Sequence, residues 1–148
     1  MHQMKRSCEI FGLKITRWQD DKEALSSIRR QVFIEEQQVP EALEWDEYDA
    51  QCVHILVRDK NHRPIATGRI KADGQIGRMA VLESCRRQGI GSHILQALIE
   101  QGKQMQLKQL YLHAQTSAIT FYEKHGFETC SEVFMDAGIP HRSMRKYL

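Results

Sequence analysis

Gly77-Arg78-Met79-Ala80-Val81-Leu82-Glu83-Ser84-Cys85-Arg86-Arg87-Gln88-Gly89-Ile90-Gly91-Ser92 is the stretch on which the fold turns. Arg78 to Leu82 has the character of a short apolar strand, and a helix is predicted to begin near Gly89. A helix start ordinarily carries acid in its first turn, because exposed N–H groups and the macrodipole favour negative charge. Here the last acid is Glu83, and Arg86 and Arg87 lead in. Glycines at 89 and 91 would each cost about 1 kcal/mol relative to alanine within a helix. An external anion on the helix end removes the conflict. Backbone N–H groups would bind it, glycines admit it, and arginines neutralise the remainder. A phosphate-bearing ligand is therefore expected at this turn.

Working outward, the upstream chain supplies strands. Ile10–Trp18 alternates loosely. Asp20 with Glu23 makes a capping-box pattern for a helix from Asp21 to about Glu36, carrying Leu25, Ile28 and Val32 at helical spacing. Cys52–Arg58, Ile65–Ala72 and Gln75–Leu82 read as three consecutive antiparallel strands, turned at Asp59–His62 and at Asp73-Gly74. Downstream, Ile94, Leu95, Leu98 and Ile99 form one helical stripe, with Gly102 near its end. Leu110–His113 is a buried strand, so strand–helix–strand implies a right-handed crossover between parallel neighbours. Thr116 or Ser117 is expected to cap a second short helix ending at Gly126. Phe127–Met135 and Ser143–Leu148 close the sheet around an Ala137–Pro140 turn. The expected class is α/β (α+β): a mixed, mostly antiparallel central sheet with flanking helices.

Composition narrows the function classes. The 148 residues suit a single domain over 8–148, with Met1–Ser7 as a flexible tail. A net charge of +2 with scattered basic residues gives no case for nucleic acid. No apolar run approaches the ~20 residues that span a bilayer, and the polar N-terminus lacks a signal peptide core. A cytoplasmic protein with no membrane partner is expected. Cys8, Cys52, Cys85 and Cys130 show no Cys-x-x-Cys and are expected as free thiols. Cys85, beside two arginines, is the one whose thiolate would be stabilised. The seven histidines offer no i, i+4 ligand pair, and no metal site is expected.

Two nucleotide loops fit the turn poorly. The dinucleotide fingerprint needs a third glycine where Ile94 stands, and the P-loop needs a lysine after its last glycine. Instead, Arg86-Arg87-Gln88-Gly89-Ile90-Gly91 resembles the Arg/Gln-x-x-Gly-x-Gly/Ala signature of GNAT-superfamily N-acetyltransferases. Ala118-Ile119-Thr120-Phe121-Tyr122-Glu123-Lys124-His125-Gly126-Phe127 is similar to that family's Ala-x-x-Phe-Tyr-x-x-x-Gly-Phe. The resemblance runs from about Ile15 to the C-terminus. Arg29, Val32, Phe33, Glu36, Gln37, Val39, Pro40, Glu44, Asp46 and Asp49, with Gly138-Ile139-Pro140-His141, resemble the ElaA/YjcF-like subgroup. One departure is Gln115, where many members carry Asn.

The resemblance implies acetyl-CoA as co-substrate and a splay between the two central parallel strands. It implies pyrophosphate on the amides of Arg87, Gln88, Gly89, Ile90, Gly91 and Ser92, with Arg86 adding affinity. It sets pantetheine along Met79, Ala80 and Val81, with Gln115, Ala118 and Phe121 lining the cofactor. Tyr122 would protonate the departing thiolate. An amine of pKa about 10.4 is neutral about once in 2,500 at pH 7, so a base is required. Candidates are Glu36, Glu44, Asp46, His54, His113 and His141, with His113 next to the cleft. Glu36, Glu44, Asp46 and Asp49, beside Trp45 and Tyr48, suggest an acidic wall for a cationic small-molecule or peptide amine. The expected activity is direct acetyl transfer in a ternary complex by a monomer or homodimer. The alternatives are a non-catalytic acyl-CoA sensor or interaction domain and a nucleotide-binding regulator.

Overall fold

The structure is a computed structural model that describes residues 8–148; the expected tail, Met1–Ser7, lies outside the described residues. The elements run β1 (Ile10–Arg17), α1 (Trp18–Arg29), α2 (Glu41–Glu44), β2 (Val53–Asp59), β3 (Pro64–Ile70), β4 (Gln75–Val81), α3 (Ile90–Gln104), β5 (Gln109–Gln115), α4 (Ile119–Glu123), β6 (Glu128–Thr129), β7 (Phe134–Asp136) and β8 (Ile139–Tyr147). One mixed sheet has the order β1-β2-β3-β4-β5-β8-β6, with β7 also on β8. Only β4 and β5 pair in parallel among the described strands. The α3 crossover makes that pairing possible. Leu25 and Ile28 of α1, and Ile94, Leu95 and Leu98 of α3, pack with Ile55, Leu56, Ile65 and Ile70 in the core.

Two irregularities position the site. Pairing between β4 and β5 is confined to Gln75↔Tyr111 and Ile76↔Leu112, after which the strands part. A bulge then sets Arg78 and Met79 of β4 against Gly68 of β3, with Arg78 at φ 50°. An extra residue of this kind bends its strand and re-aims its side chains. Gly68 is required there, since a Cβ would lie 2.9 Å from Ile94, 3.0 Å from Leu98 and 3.1 Å from Met79.

Several local expectations are corrected. Arg17, not Asp20, precedes α1, with no side-chain cap; Asp21 leaves helical geometry and pairs with Lys14 and Thr16 instead. The helix does not continue as α-helix to Glu36 but widens to i→i+5 bonding over Arg30–Glu36. Gly102 lies within α3 because a Cβ would meet Leu110 at 2.6 Å, a packing need rather than a terminus. Neither Thr116 nor Ser117 caps α4. Phe127–Met135 divides into β6 and β7, both on β8, which itself starts at Ile139. Cys8 and Cys85 are not free: they form a disulfide, their Cα atoms 5.4 Å apart. The reason is tertiary, since Cys8 lies on the Arg/Gly turn, its N–H donating to Gln88 Oε1 at 3.0 Å. Cys52 and Cys130 remain thiols.

Candidate active site

The Arg/Gly turn has the backbone of an anion site. Arg87 (φ 64°) and Gly89 (φ 82°) both adopt left-handed geometry, the conformation that turns successive amides toward one concavity. The first amide tied into α3 is that of His93, on the Gly89 carbonyl at 3.2 Å, so the amides of Ile90, Gly91 and Ser92 precede the helical ladder. A Cβ on Gly89 would meet nothing within 4 Å, which leaves room over those amides. Phe121 closes the other side, its ring 3.5 Å from a Cβ built on Gly91. The two sequence blocks that frame α3 and β5 thus touch. His125 Nε2 and Ser92 Oγ, 3.1 Å apart, strengthen that contact.

Arg86 is engaged elsewhere. Its guanidinium pairs with both oxygens of Glu36 at 2.6 Å and donates to the Val81 carbonyl at 2.9 Å. That bidentate bond and charge hold the Glu36 carboxyl below its usual range. The end of the widened helix is thereby tied to the turn.

A cleft of about 330 Å³ opens where β4 and β5 part. Met79, Glu44, His113, Gln115, Ala118, Tyr122 and His141 line it, so seven of the candidate site residues converge, with Phe33, Gln37, Val39 and Ile139 of the subgroup pattern beside them. Ala80, Val81 and the turn 86–92 do not line this cleft, nor do Glu36 and Asp46. Tyr122 presents its hydroxyl toward Met79 Sδ at 3.8 Å, and burial pushes its phenol up to about 12. It is therefore a protonated donor at every physiological pH. Burial lowers the His113 pKa, favouring its neutral form. Gln115 donates through Nε2 to Gln37 Oε1 at 3.0 Å, bracing β5 against the widened helix.

The expected acidic wall is corrected, because each of its carboxylates is already paired. Arg29, fully buried, donates to Glu44 at 2.8 Å and to both oxygens of Asp49 at 2.7 and 3.2 Å. Arg69 joins Asp49 and Asp46, each at 2.7 Å, and Arg78 joins Glu44 at 3.2 Å and Asp46 at 3.3 Å. Three arginines thus meet Glu44, Asp46 and Asp49 in a charge-balanced cluster. Burial opposes the Asp46 charge, yet the Arg69 hydrogen bond and charge, with Arg78, hold its carboxyl at about 2. Trp18 and Trp45 lie against Arg29 at 5.3 and 5.2 Å, and Tyr48 lies against Lys71 Nζ at 4.0 Å, so both aromatics among the acids meet cations. Of the two carboxylates lining the cleft, Glu44 is so engaged, and Asp136 has no salt bridge among the described residues.

Sequence reasoning missed Arg78 and Asp136, and placed Gln37 only in the subgroup pattern, with no site role. Arg78 adjoins Met79 in the quoted stretch, but nothing local marks its left-handed backbone. Ala137–Pro140 was legible as a turn, and Ala137 at φ 53° and Gly138 at φ 77° make it, but the adjoining Asp136 was not legible as a cleft rim.

An amide-lined turn, a splayed parallel pair and a largely polar cleft with a protonated tyrosine are the features of an acyl-CoA-dependent acyltransferase. Residues 18–148 match the family described as Acetyltransferase (GNAT) domain, and the chain belongs to that family. It is 40% identical over 123 residues to YjcF of Bacillus subtilis (strain 168), described as an uncharacterized N-acetyltransferase, covering 80% of this chain and 87% of YjcF. The crystal structure of Escherichia coli ElaA superposes with TM-score 0.82 at 29% identity, covering 93% of this chain and 99% of that one. An acyl-CoA N-acyltransferase from Pseudomonas aeruginosa gives 0.83 at 25% identity, with coverage of 93% and 99%. The similarity to YjcF and ElaA sets the chain with the ElaA/YjcF-like members. No helix among the described residues is long and apolar enough to cross a membrane.

Proposed function

We propose that this protein transfers the acetyl group of acetyl-CoA directly to a primary amine, of a small molecule or a peptide, within a ternary complex. The observation that carries this reading is the parting of β4 from β5 after Ile76↔Leu112, into a cleft that Tyr122 and Met79 share. The amides from Arg87 to Ser92 would hold the pyrophosphate, with Gly89 giving it access. The edge of β4 beyond Ile76 offers backbone N–H groups to the thioester carbonyl, a role that grows as negative charge develops on its oxygen.

Tyr122 serves the leaving group. A phenol at about 12 surrenders its proton to a thiolate, whose acid lies near pKa 8.5 like a cysteine's, only uphill. It therefore hydrogen-bonds the sulfur as the C–S bond breaks and gives up its proton only in concert with its own reprotonation. Its proton passes to sulfur as another arrives from the attacking nitrogen, and the tyrosine ends neutral.

Thermal denaturation in the presence of CoA tests the binding half of this reading. CoA at 100 times its dissociation constant should stabilise the protein by about 2.7 kcal/mol. Adenosine monophosphate at the same concentration should do far less, because it lacks the pyrophosphate and pantetheine that the turn and cleft would hold. Equal stabilisation by both would point to a nucleotide site and overturn the assignment.

A further inference from the structure

The cleft holds two histidines, and their surroundings differ. The alternation along β5 puts His113 and Gln115 on one face, and the β5–β8 register sets His141 opposite Gln115. On the other side of β8, Phe134 pairs with His141. His113, Phe134 and His141 thus form a row across three strands, with ring centroids 5.3 Å apart from His113 to Phe134 and 5.9 Å from Phe134 to His141.

Only His141 is locked. Its Nδ1 lies 2.7 Å from the Ile139 carbonyl oxygen. A carbonyl accepts and never donates, so Nδ1 carries the hydrogen and the neutral ring must leave Nε2 bare. Phe134 stacks on the imidazole at an interplanar angle of 23°, fixing the ring plane as well. The residue is 8% exposed, and it lines the cleft. No hydrogen bond occupies Nε2 among the described residues. His113 is more exposed, and no hydrogen bond fixes its tautomer among the described residues.

We infer that His141 is the general base, with Nε2 accepting the proton of the incoming ammonium group; this rests on the acetyltransferase reading above. The proton balance closes. The ammonium N–H bond breaks toward Nε2, giving a neutral amine and an imidazolium. The freed lone pair forms the N–C bond to the thioester carbon, and the C–S bond then breaks. The second nitrogen-borne proton replaces the one that Tyr122 gives to sulfur. His141 returns its proton to solvent, so each turnover yields amide, free thiol and one proton.

The other charged and titratable groups lining the cleft are His113 on β5, Asp136 on β7, Tyr122 on α4, Glu44 on α2 and Arg78 on β4. Glu44 and Arg78 are paired to one another, and Tyr122 stays neutral. Asp136 is thus the charge left to favour an approaching ammonium group. Arg142, next in sequence, is turned to the Ser131 carbonyl at 2.9 Å.

His141→Asn tests the assignment, because asparagine retains a donor near the Nδ1 position while removing the base. Thiol release from acetyl-CoA would be followed against pH with ethanolamine, cadaverine and Nα-acetyl-lysine amide. The expected result is a loss in kcat on the order of 10²- to 10⁴-fold near pH 7. The deficit should narrow as pH approaches the amine's own pKa, and added imidazole should restore part of the rate. His113→Asn should lose less. An H141N variant within threefold of wild type at every pH, still stabilised by CoA, would overturn the assignment. So would a larger loss in H113N. If the wild type releases no thiol with any amine, the acetyltransferase reading fails instead. Long-range ¹H–¹⁵N NMR with CoA bound then decides the histidine independently. His141 should carry its proton on Nδ1 at pH 8, and an Nε2–H tautomer would refute the inference.

Discussion

Replacing Tyr122 with phenylalanine is expected to lower kcat by roughly 10²- to 10³-fold, the range for one lost acid or donor in a transition state, while leaving CoA affinity within about twofold. The variant removes a single oxygen from a ring packed edge-on against Phe121, at a centroid distance of 5.1 Å, and against Phe127 at 6.1 Å. The only partner of the hydroxyl among the described residues is the weak acceptor Met79 Sδ. Its loss therefore leaves no strong buried acceptor unsatisfied, and the fold should survive. Steady-state kinetics paired with CoA titration separate the outcomes. A fall in kcat with unchanged binding marks a transition-state role. A fall in both would mean that the tyrosine packs the pantetheine wall and does little else.

The second large effect concerns stability. Arg29→Met is expected to destabilise the fold by about 3–5 kcal/mol, the cost of leaving buried charge without its partner. Arg29 is fully buried, and its guanidinium bridges α1, α2 and the loop before β2 by bonding Glu44 and Asp49. Without it, Glu44 keeps only Arg78 and Asp49 keeps only Arg69 among their arginine partners. Methionine also forfeits the stacking of Trp18 and Trp45 on the cation. Arg29→Lys should recover only part, since a point charge cannot reproduce the planar fork that reaches both carboxylates. Urea denaturation of the three proteins checks this ordering. A loss below 1 kcal/mol for R29M would show that the cluster contributes little beyond filling space.

The legible and illegible features of the chain divide on physical grounds. Signals confined to a few neighbouring residues survived well. The turn at Gly89 was visible because two arginines and two glycines at a helix start all fall within six residues. The β2–β4 meander and the α3 crossover were visible through alternation and helical spacing, each a short-period pattern. Features that depend on distant partners were not visible. Glu44, Asp46 and Asp49 fall within six residues of sequence, yet Arg29, Arg69 and Arg78 that neutralise them come from three separate elements. Cys8 and Cys85 are 77 positions apart, and only the packing of the segment before β1 on the turn joins them. His141 looked like one of several histidines. The β5–β8 register and the Ile139 carbonyl distinguish it.

These differences reshape the site. The arginine cluster becomes a charge-balanced wall that ties α2 to the sheet beside the cleft, and in the proposed reading Asp136 on the rim is the carboxylate left for a cationic amine. The roles proposed for the turn and Tyr122 do not depend on these corrections.

The most direct test of the whole account is amine-dependent release of free CoA from acetyl-CoA by the wild-type protein, with mass spectrometry of the amine. The account predicts that thiol and N-acetylated amine appear in equal amounts, and that neither forms without the amine. A protein that CoA stabilises, yet that releases no thiol with any primary amine, would contradict it and mark an acyl-CoA-binding domain without turnover.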